Sequence, residues 1–123
     1  MITATMAVAT VPVTDLERSK AFYGDTLGLT LLWETPVAAR YRCGPSSEIS
    51  IFKRPPVSAD HTLAHFEVTD IDAVVSELES SGVVFLDYTQ GPLTTKGHIA
   101  TLGPARAAWF TDPDGNTLGL RQG

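Results

Sequence analysis

The chain has 123 residues, 43% of them hydrophobic and 19% charged, and a formal net charge of −5. That composition suits one ordinary globular domain whose core needs no disulfide or structural metal, and the acidic balance argues against nucleic acid or anionic membrane as a main partner. The lone cysteine, Cys43, cannot make an internal bridge, so a reducing, cytoplasmic setting is expected.

Along the chain, Met6–Val13 alternates as a first strand and lacks the basic start of a signal peptide. Thr14 or Asp15 can cap a helix, with Glu17 three residues after Thr14 in capping-box spacing. Leu16, Ala21 or Lys20, Phe22 and Tyr23 supply its apolar face, and Gly28 ends it. Leu29–Glu34 and Val37–Cys43 read as strands, Gly44-Pro45-Ser46-Ser47 as a turn and Glu48–Lys53 as the fourth strand. Arg54–Ser58 holds paired prolines and reads as a semi-rigid linker. His61–Val68 is then a strand, Asp70–Ser81 a helix stopped by Gly82, and Val83–Tyr88 a strand. A long loop is expected from Thr89 to Pro104, with Ala105–Thr111 and Thr117–Arg121 as the closing strands. No window supplies the ~18 apolar residues of a membrane-spanning helix.

The motif VTDL at Val13–Leu16 recurs as VTDI at Val68–Ile71, each time after an alternating run and before a helical pattern. Such an echo marks a duplicated module. The expected organisation is a βαβββ module over residues 1–54, a linker over 55–60 and a second module over 61–123, an α+β architecture with mixed sheets.

Two stretches, VTDLERSKAFYGDTLGL near the start and WFTDPDGNTLGL near the end, resemble the vicinal oxygen chelate superfamily, also called glyoxalase/bleomycin-resistance/dioxygenase, and FEVTDIDAVVSELESSGVVF is similar to the opening of that family's second module. The resemblance covers nearly the whole chain. It implies two βαβββ modules forming a curved sheet around a cavity, commonly completed by dimerisation. It also implies a divalent metal held by His, Gln or Glu on the first and fourth strands of each module. Counted from the VTD elements and the turns, those positions fall on Val8, Ser50, Leu63 and Gly119, none of which carries a good metal donor. No cofactor is therefore expected.

Strand alternation sets the faces. Val11, Val13, Ile49, Ile51, Ala64, Phe66, Val68, Leu118 and Leu120 should pack on the helices. Met6, Val8, Thr10, Pro12, Glu48, Ser50, Phe52, Leu63, His65, Glu67 and Gly119 should point the other way. A glycine weakens a strand but permits close approach of a neighbour, so Gly119 marks either such an approach or mere curvature near a turn. Three histidines are available; His61 and His65 are too far apart for one ion, and His98 joins His65 and Glu67 only if the long loop folds back. His65 and Glu67 could instead be an acid–base pair, a partly buried carboxylate having a raised pKa, or could bind a polar ligand group. Cys43 has no activating neighbours in sequence and reads as inert packing. Trp33, Tyr41, Phe52, Tyr88 and Trp109 are spread over strands that line or rim a cavity, which suits a flat organic molecule.

The expectation is a metal-independent small-molecule binding protein that encloses an apolar or aromatic compound, in the manner of family members that confer drug resistance by sequestration. Its ligand-binding residues would be Trp33, Arg40, Tyr41, Phe52, His65, Glu67, His98 and Trp109. The alternative is an enzyme of the same superfamily (a lyase, isomerase or dioxygenase), either cofactor-free through Glu67 and His65 or with a displaced metal site. A homodimer is expected by resemblance and because each half leaves sheet edges to cover.

Overall fold

Asp15 begins the first helix: its side chain accepts a hydrogen bond from the Arg18 amide at 3.1 Å and so satisfies a donor that the first turn leaves open. The computed structural model describes residues 1–123, which divide into two compact units, Met1–Ser58 and Ala59–Gly123. In the first unit, β1 (Ala9–Val13) leads into α1 (Leu16–Lys20), followed by β2 (Thr30–Glu34), β3 (Ala38–Cys43) and β4 (Ser47–Lys53). After Lys20 the helix widens into a π-helical turn, Ala21–Thr26, in which the Leu27 amide donates to the Phe22 carbonyl at 2.9 Å. Leu16, Ser19 and Tyr23, at i, i+3 and i+7 spacing, lie on the buried side, and Ala21, expected there, is exposed.

The strands order as β1-β4-β3-β2, with β1 parallel to β4 and the rest antiparallel, as a βαβββ module requires. Residues directly paired across a ladder share a face. Val11, Val13, Ala39, Tyr41, Ile49 and Ile51 consequently form one buried layer with Tyr23 of the π turn. Each of the larger side chains in it contributes about 1.5–3 kcal/mol by leaving water.

The second unit repeats the plan with an addition. It contains β5 (Thr62–Glu67), α2 (Ile71–Ser80) capped by Asp70, β6 (Val84–Leu86), β7 (Thr95–Lys96), β8 (Ile99–Leu102), β9 (Ala105–Thr111) and β10 (Thr117–Gln122). The ladder runs β5-β10-β9-β8-β7, with β6 also on β9 and β5 parallel to β10. Phe85, Ala108, Phe110, Leu118 and Leu120 are buried with Ile71, Val75 and Leu78 of α2. Arg106 lies on the same side of β9 and makes a two-pronged pair with Asp72 of the helix, at 2.7 and 2.8 Å.

The segment Thr89–Pro104, expected as a loop, contains the β7–β8 hairpin, and β8 completes the partner set of β9. Strands of two and four residues are too short to show a period, and glycines at 97 and 103 mask them. The turn Asp112–Asn116 is organised by the buried Asp112 side chain. It accepts from the Asp114 and Asn116 amides, both at 2.9 Å, and from Asn116 Nδ2 at 2.8 Å. No helix is long and apolar enough to cross a membrane.

Candidate functional site

On the side of the first sheet away from its buried layer, Thr10, Ser50, Arg40 and Trp33 form one row across the four strands. Pro12, Phe52 and Ala38 form the next. The Arg40 guanidinium lies over the Trp33 ring, 5.0 Å from its centroid, and Arg40 Nη1 donates to Glu48 at 2.9 Å. Arg40 Nε is buried without a hydrogen-bond partner, and Trp33 is 46% exposed. Trp33, Arg40 and Phe52 therefore share the open face.

Tyr41 does not. It pairs with Ile49, is 2% exposed and donates its hydroxyl to the Lys20 carbonyl at 3.4 Å, with its ring 6.4 Å from that of Tyr23. The expectation that Tyr41 lines the ligand face is corrected: alternation along β3 gives Arg40 to the open face and Tyr41 to the core. Burial beside α1 pushes its phenol pKa up, against the opposing pull of Lys20. Cys43, at the end of the same strand, has its thiol pushed up by burial and by Glu48.

In the second sheet one row reads His65, Gly119, Trp109, Leu86, and the next reads Glu67, Arg121, Ala107. His65 Nε2 and Glu67 Oε2 are 2.8 Å apart, and Arg121 Nη1 donates to Glu67 Oε1 at 2.8 Å. The three side chains form one chain of charge-assisted hydrogen bonds. Partial desolvation works to raise the Glu67 pKa, but the hydrogen bonds from Arg121 and His65 together hold it below the ordinary carboxylate value. The raised carboxylate pKa expected from the sequence is thus corrected, because Glu67 is exposed and doubly paired. Trp109 meets Tyr88 edge to face, ring centroids 5.4 Å apart, which makes an aromatic wall beside that charged row.

Gly119 answers to its neighbours. A Cβ there would lie 3.1 Å from His65 Cβ, 3.6 Å from the Thr62 methyl and 3.7 Å from the Ala108 carbonyl oxygen. The close approach that glycine permits is that of the paired strand's own side chain.

His98 also departs from expectation. It lies away from the open face, its ring stacked on Phe85 at 5.2 Å and bonded to Glu79 of α2 and to Asp87. The displaced set of His65, Glu67 and His98 is therefore not brought together, because Phe85 pairs with the core residue Phe110 and holds His98 on the helix side. His61 is exposed and contacts the neighbouring Thr62 carbonyl.

The residue that sequence reasoning missed is Arg121. It stands two places after Gly119 on one strand, so its face was readable, but its pairing with Glu67 depends on the parallel register of β10 on β5. The family's metal positions do not fit an ion. Val8 and Leu63 are hydrocarbon, Ser50 offers only a hydroxyl, and at Gly119 the space a longer side chain would start from is crowded by His65.

Residues 5–120 match the model of the glyoxalase/bleomycin resistance protein/dioxygenase superfamily. The Escherichia coli (strain K12) protein YaeR is 36% identical, with 87% of each chain covered. Among solved structures, TnmS3, an antibiotic binding protein from Streptomyces sp. CB03234, superposes with a TM-score of 0.73 at 29% identity, covering 99% of this chain and 98% of that one. A superfamily member from Sphaerobacter thermophilus DSM 20745 superposes with a TM-score of 0.76 at 22% identity, covering 98% of each chain, a likeness of fold.

Proposed function

The chain belongs to the glyoxalase/bleomycin resistance protein/dioxygenase superfamily, and we propose that it binds a flat, largely apolar organic molecule without the help of a metal ion. The observation that carries this reading is the Trp109–Tyr88 wall standing beside the His65–Glu67–Arg121 chain on one sheet face. An aromatic surface with a few convergent polar groups is the usual make-up of a small-molecule site. The rings supply contact area and desolvation, and the charged row fixes orientation. On the first unit, Trp33, Phe52 and Arg40 offer the same mixture, and the unpartnered Arg40 Nε is a donor that a ligand oxygen would satisfy. The likeness to an antibiotic binding protein supports an antibiotic as the kind of ligand, and the Trp109–Tyr88 wall favours an aromatic one, with sequestration as the proposed outcome. A homodimer is part of the proposal, and the exposed Leu31 and Trp33 of the edge strand β2 support it.

The reading is tested by titrating a panel of planar aromatic antibiotics against the intrinsic fluorescence of Trp33 and Trp109, with and without chelator. Trp109→Ala should weaken binding about tenfold, the scale of one lost aromatic contact with its buried area. Binding that needs an added divalent ion, or that survives Trp109→Ala unchanged, overturns the proposal.

The 2.8 Å contact of His65 with Glu67 favours one second reading, a cofactor-free proton transfer on the same face. Glu67→Gln separates the two: loss of turnover with affinity kept supports the enzyme, and altered affinity with no turnover in the parent protein supports the binder.

A further inference from the structure

The β7–β8 hairpin turns through Gly97 and His98, with φ of 59° and 72°. Two consecutive residues at positive φ define the tight turn that suits a two-residue hairpin, and glycine, asparagine or aspartate normally fill it. His98 is the one residue other than glycine at positive φ in the chain. A side chain that accepts this backbone cost has a compensating set of contacts. They come from three directions. Nε2 reaches Glu79 of α2 at 2.5 Å, Nδ1 lies 3.0 Å from both oxygens of Asp87 after β6, and the ring stacks on Phe85 of β6. Both ring nitrogens thus face carboxylates. Only the doubly protonated imidazolium can donate to both.

The same cluster holds the chain between β6 and β7. Thr95 Oγ1 donates to Asp87 at 2.9 Å and accepts from the Tyr88 amide at 3.0 Å, while the Thr95 amide donates to the Tyr88 carbonyl at 2.8 Å. Tyr88 in turn stands edge-on to Trp109.

We propose that His98 is a proton-operated latch: its imidazolium pins the β7–β8 hairpin to Glu79 and Asp87, and loss of the proton frees residues 88–98 and with them Tyr88. The charged groups that face the ring are Glu79 from α2 and Asp87 from the end of β6; the other surrounding groups, Phe85 and Thr95, carry no charge. The hydrogen bonds to Glu79 and then Asp87 raise the imidazole above its ordinary value of 6.5, against the opposing effect of desolvation. A group whose pKa is raised in the closed state gives its full stabilisation below the ordinary value and loses it as pH rises through the raised one. At the acid end desolvation opposes the hydrogen bonds from His98 and Thr95, which hold Asp87 below the ordinary carboxylate range, so the Asp87 arm of the latch is lost as pH falls through that depressed value. The latch is therefore closed below the ordinary imidazole value and opens as pH rises through the raised one.

Hydrogen–deuterium exchange of the Thr94–Ile99 amides, corrected for intrinsic rates and followed from about pH 6 to about pH 9, reads the latch directly. Protection should fall on the order of tenfold as pH rises, the scale of exchanging charge-assisted for neutral hydrogen bonds. His98→Asn keeps a residue that tolerates positive φ but carries no charge, so its protection should sit at the low level at every pH. Glu79→Gln, on the exposed helix surface, should move the midpoint to lower pH, and the His98 Hε1 resonance should titrate with the same midpoint. A pH-independent profile in the parent protein, or an unchanged profile in either variant, overturns the proposal.

Discussion

Gly119→Ala is the sharpest probe of how the second sheet is packed. Glycine in a strand costs about 0.5–1 kcal/mol relative to alanine, so with open space above it the substitution would stabilise. Here the new methyl lies 3.1 Å from His65 Cβ, inside the ~3.5–4.0 Å at which two carbons rest comfortably. Both carbons are fixed to backbones that pair directly in the β5–β10 ladder, and the Thr62 methyl and Ala108 carbonyl close the other directions. Overpacking of this kind costs about 1–3 kcal/mol. Offset by the glycine term, the net loss ranges from about 0 to about 2.5 kcal/mol and centres on roughly 1 kcal/mol, readable by urea unfolding and as several degrees of Tm at roughly 3–6 °C per kcal/mol for a chain of this size.

The cause is isolated by the second residue. His65→Ala retains the Cβ, so Gly119→Ala should cost the same in that background. His65→Gly removes it, and there Gly119→Ala should become neutral or stabilising, a coupling of about 1–3 kcal/mol. A parent-background Gly119→Ala more stable than the parent would refute the packing argument. Relief by His65→Ala as large as by His65→Gly would transfer the cause to the imidazole ring.

Asp112→Ala removes three hydrogen bonds from a buried turn and should cost about 3 kcal/mol, with Asp112→Asn milder because it keeps the acceptor for the two backbone amides; thermal unfolding ranks them. Cys43, its thiol pushed up by burial and by Glu48, should react with Ellman's reagent at neutral pH well below the rate of free cysteine, and reactivity at or above that rate contradicts the packing described. The depressed Glu67 pKa gives a stability contribution present above the ordinary carboxylate value and lost as pH falls through the lowered one. Urea midpoints between about pH 7 and about pH 3 should therefore fall more in the parent than in Glu67→Gln.

The strands that flank a helix were legible because their apolar residues alternate against polar ones and the buried layer of Val11, Val13, Ile49 and Ile51 falls out of that period. Tyr41 was also within reach. The turn after Cys43 pairs it with Ser47, and counting back through the ladder sets Tyr41 against Ile49, so the tyrosine had to share the buried side. His98 was not within reach, because nothing in Gly97-His98-Ile99 announces that a histidine will take a left-handed conformation. Its position follows from carboxylates 11 and 19 residues away, a tertiary effect that overrides local preference.

The two units carry the same plan, and that correspondence sharpens the reading of the open faces. In each, the first strand pairs in parallel with the last, so Thr10 against Ser50 in one unit corresponds to His65 against Gly119 in the other. At the positions where the superfamily resemblance places metal ligands, both units offer hydrocarbon, a hydroxyl or no side chain. The ionisable groups of the second face stand beside those positions and are spent on one another, His65 on Glu67 and Glu67 on Arg121. Arg40 and Glu48 do the same on the first. Charges already paired in this way have little to gain from gripping a cation, whereas their remaining donors and acceptors can still orient a polar edge of a molecule held by Trp109 or Trp33. On the proposed reading, the aromatic rings of both faces would carry affinity for an organic ligand and the paired charges its orientation.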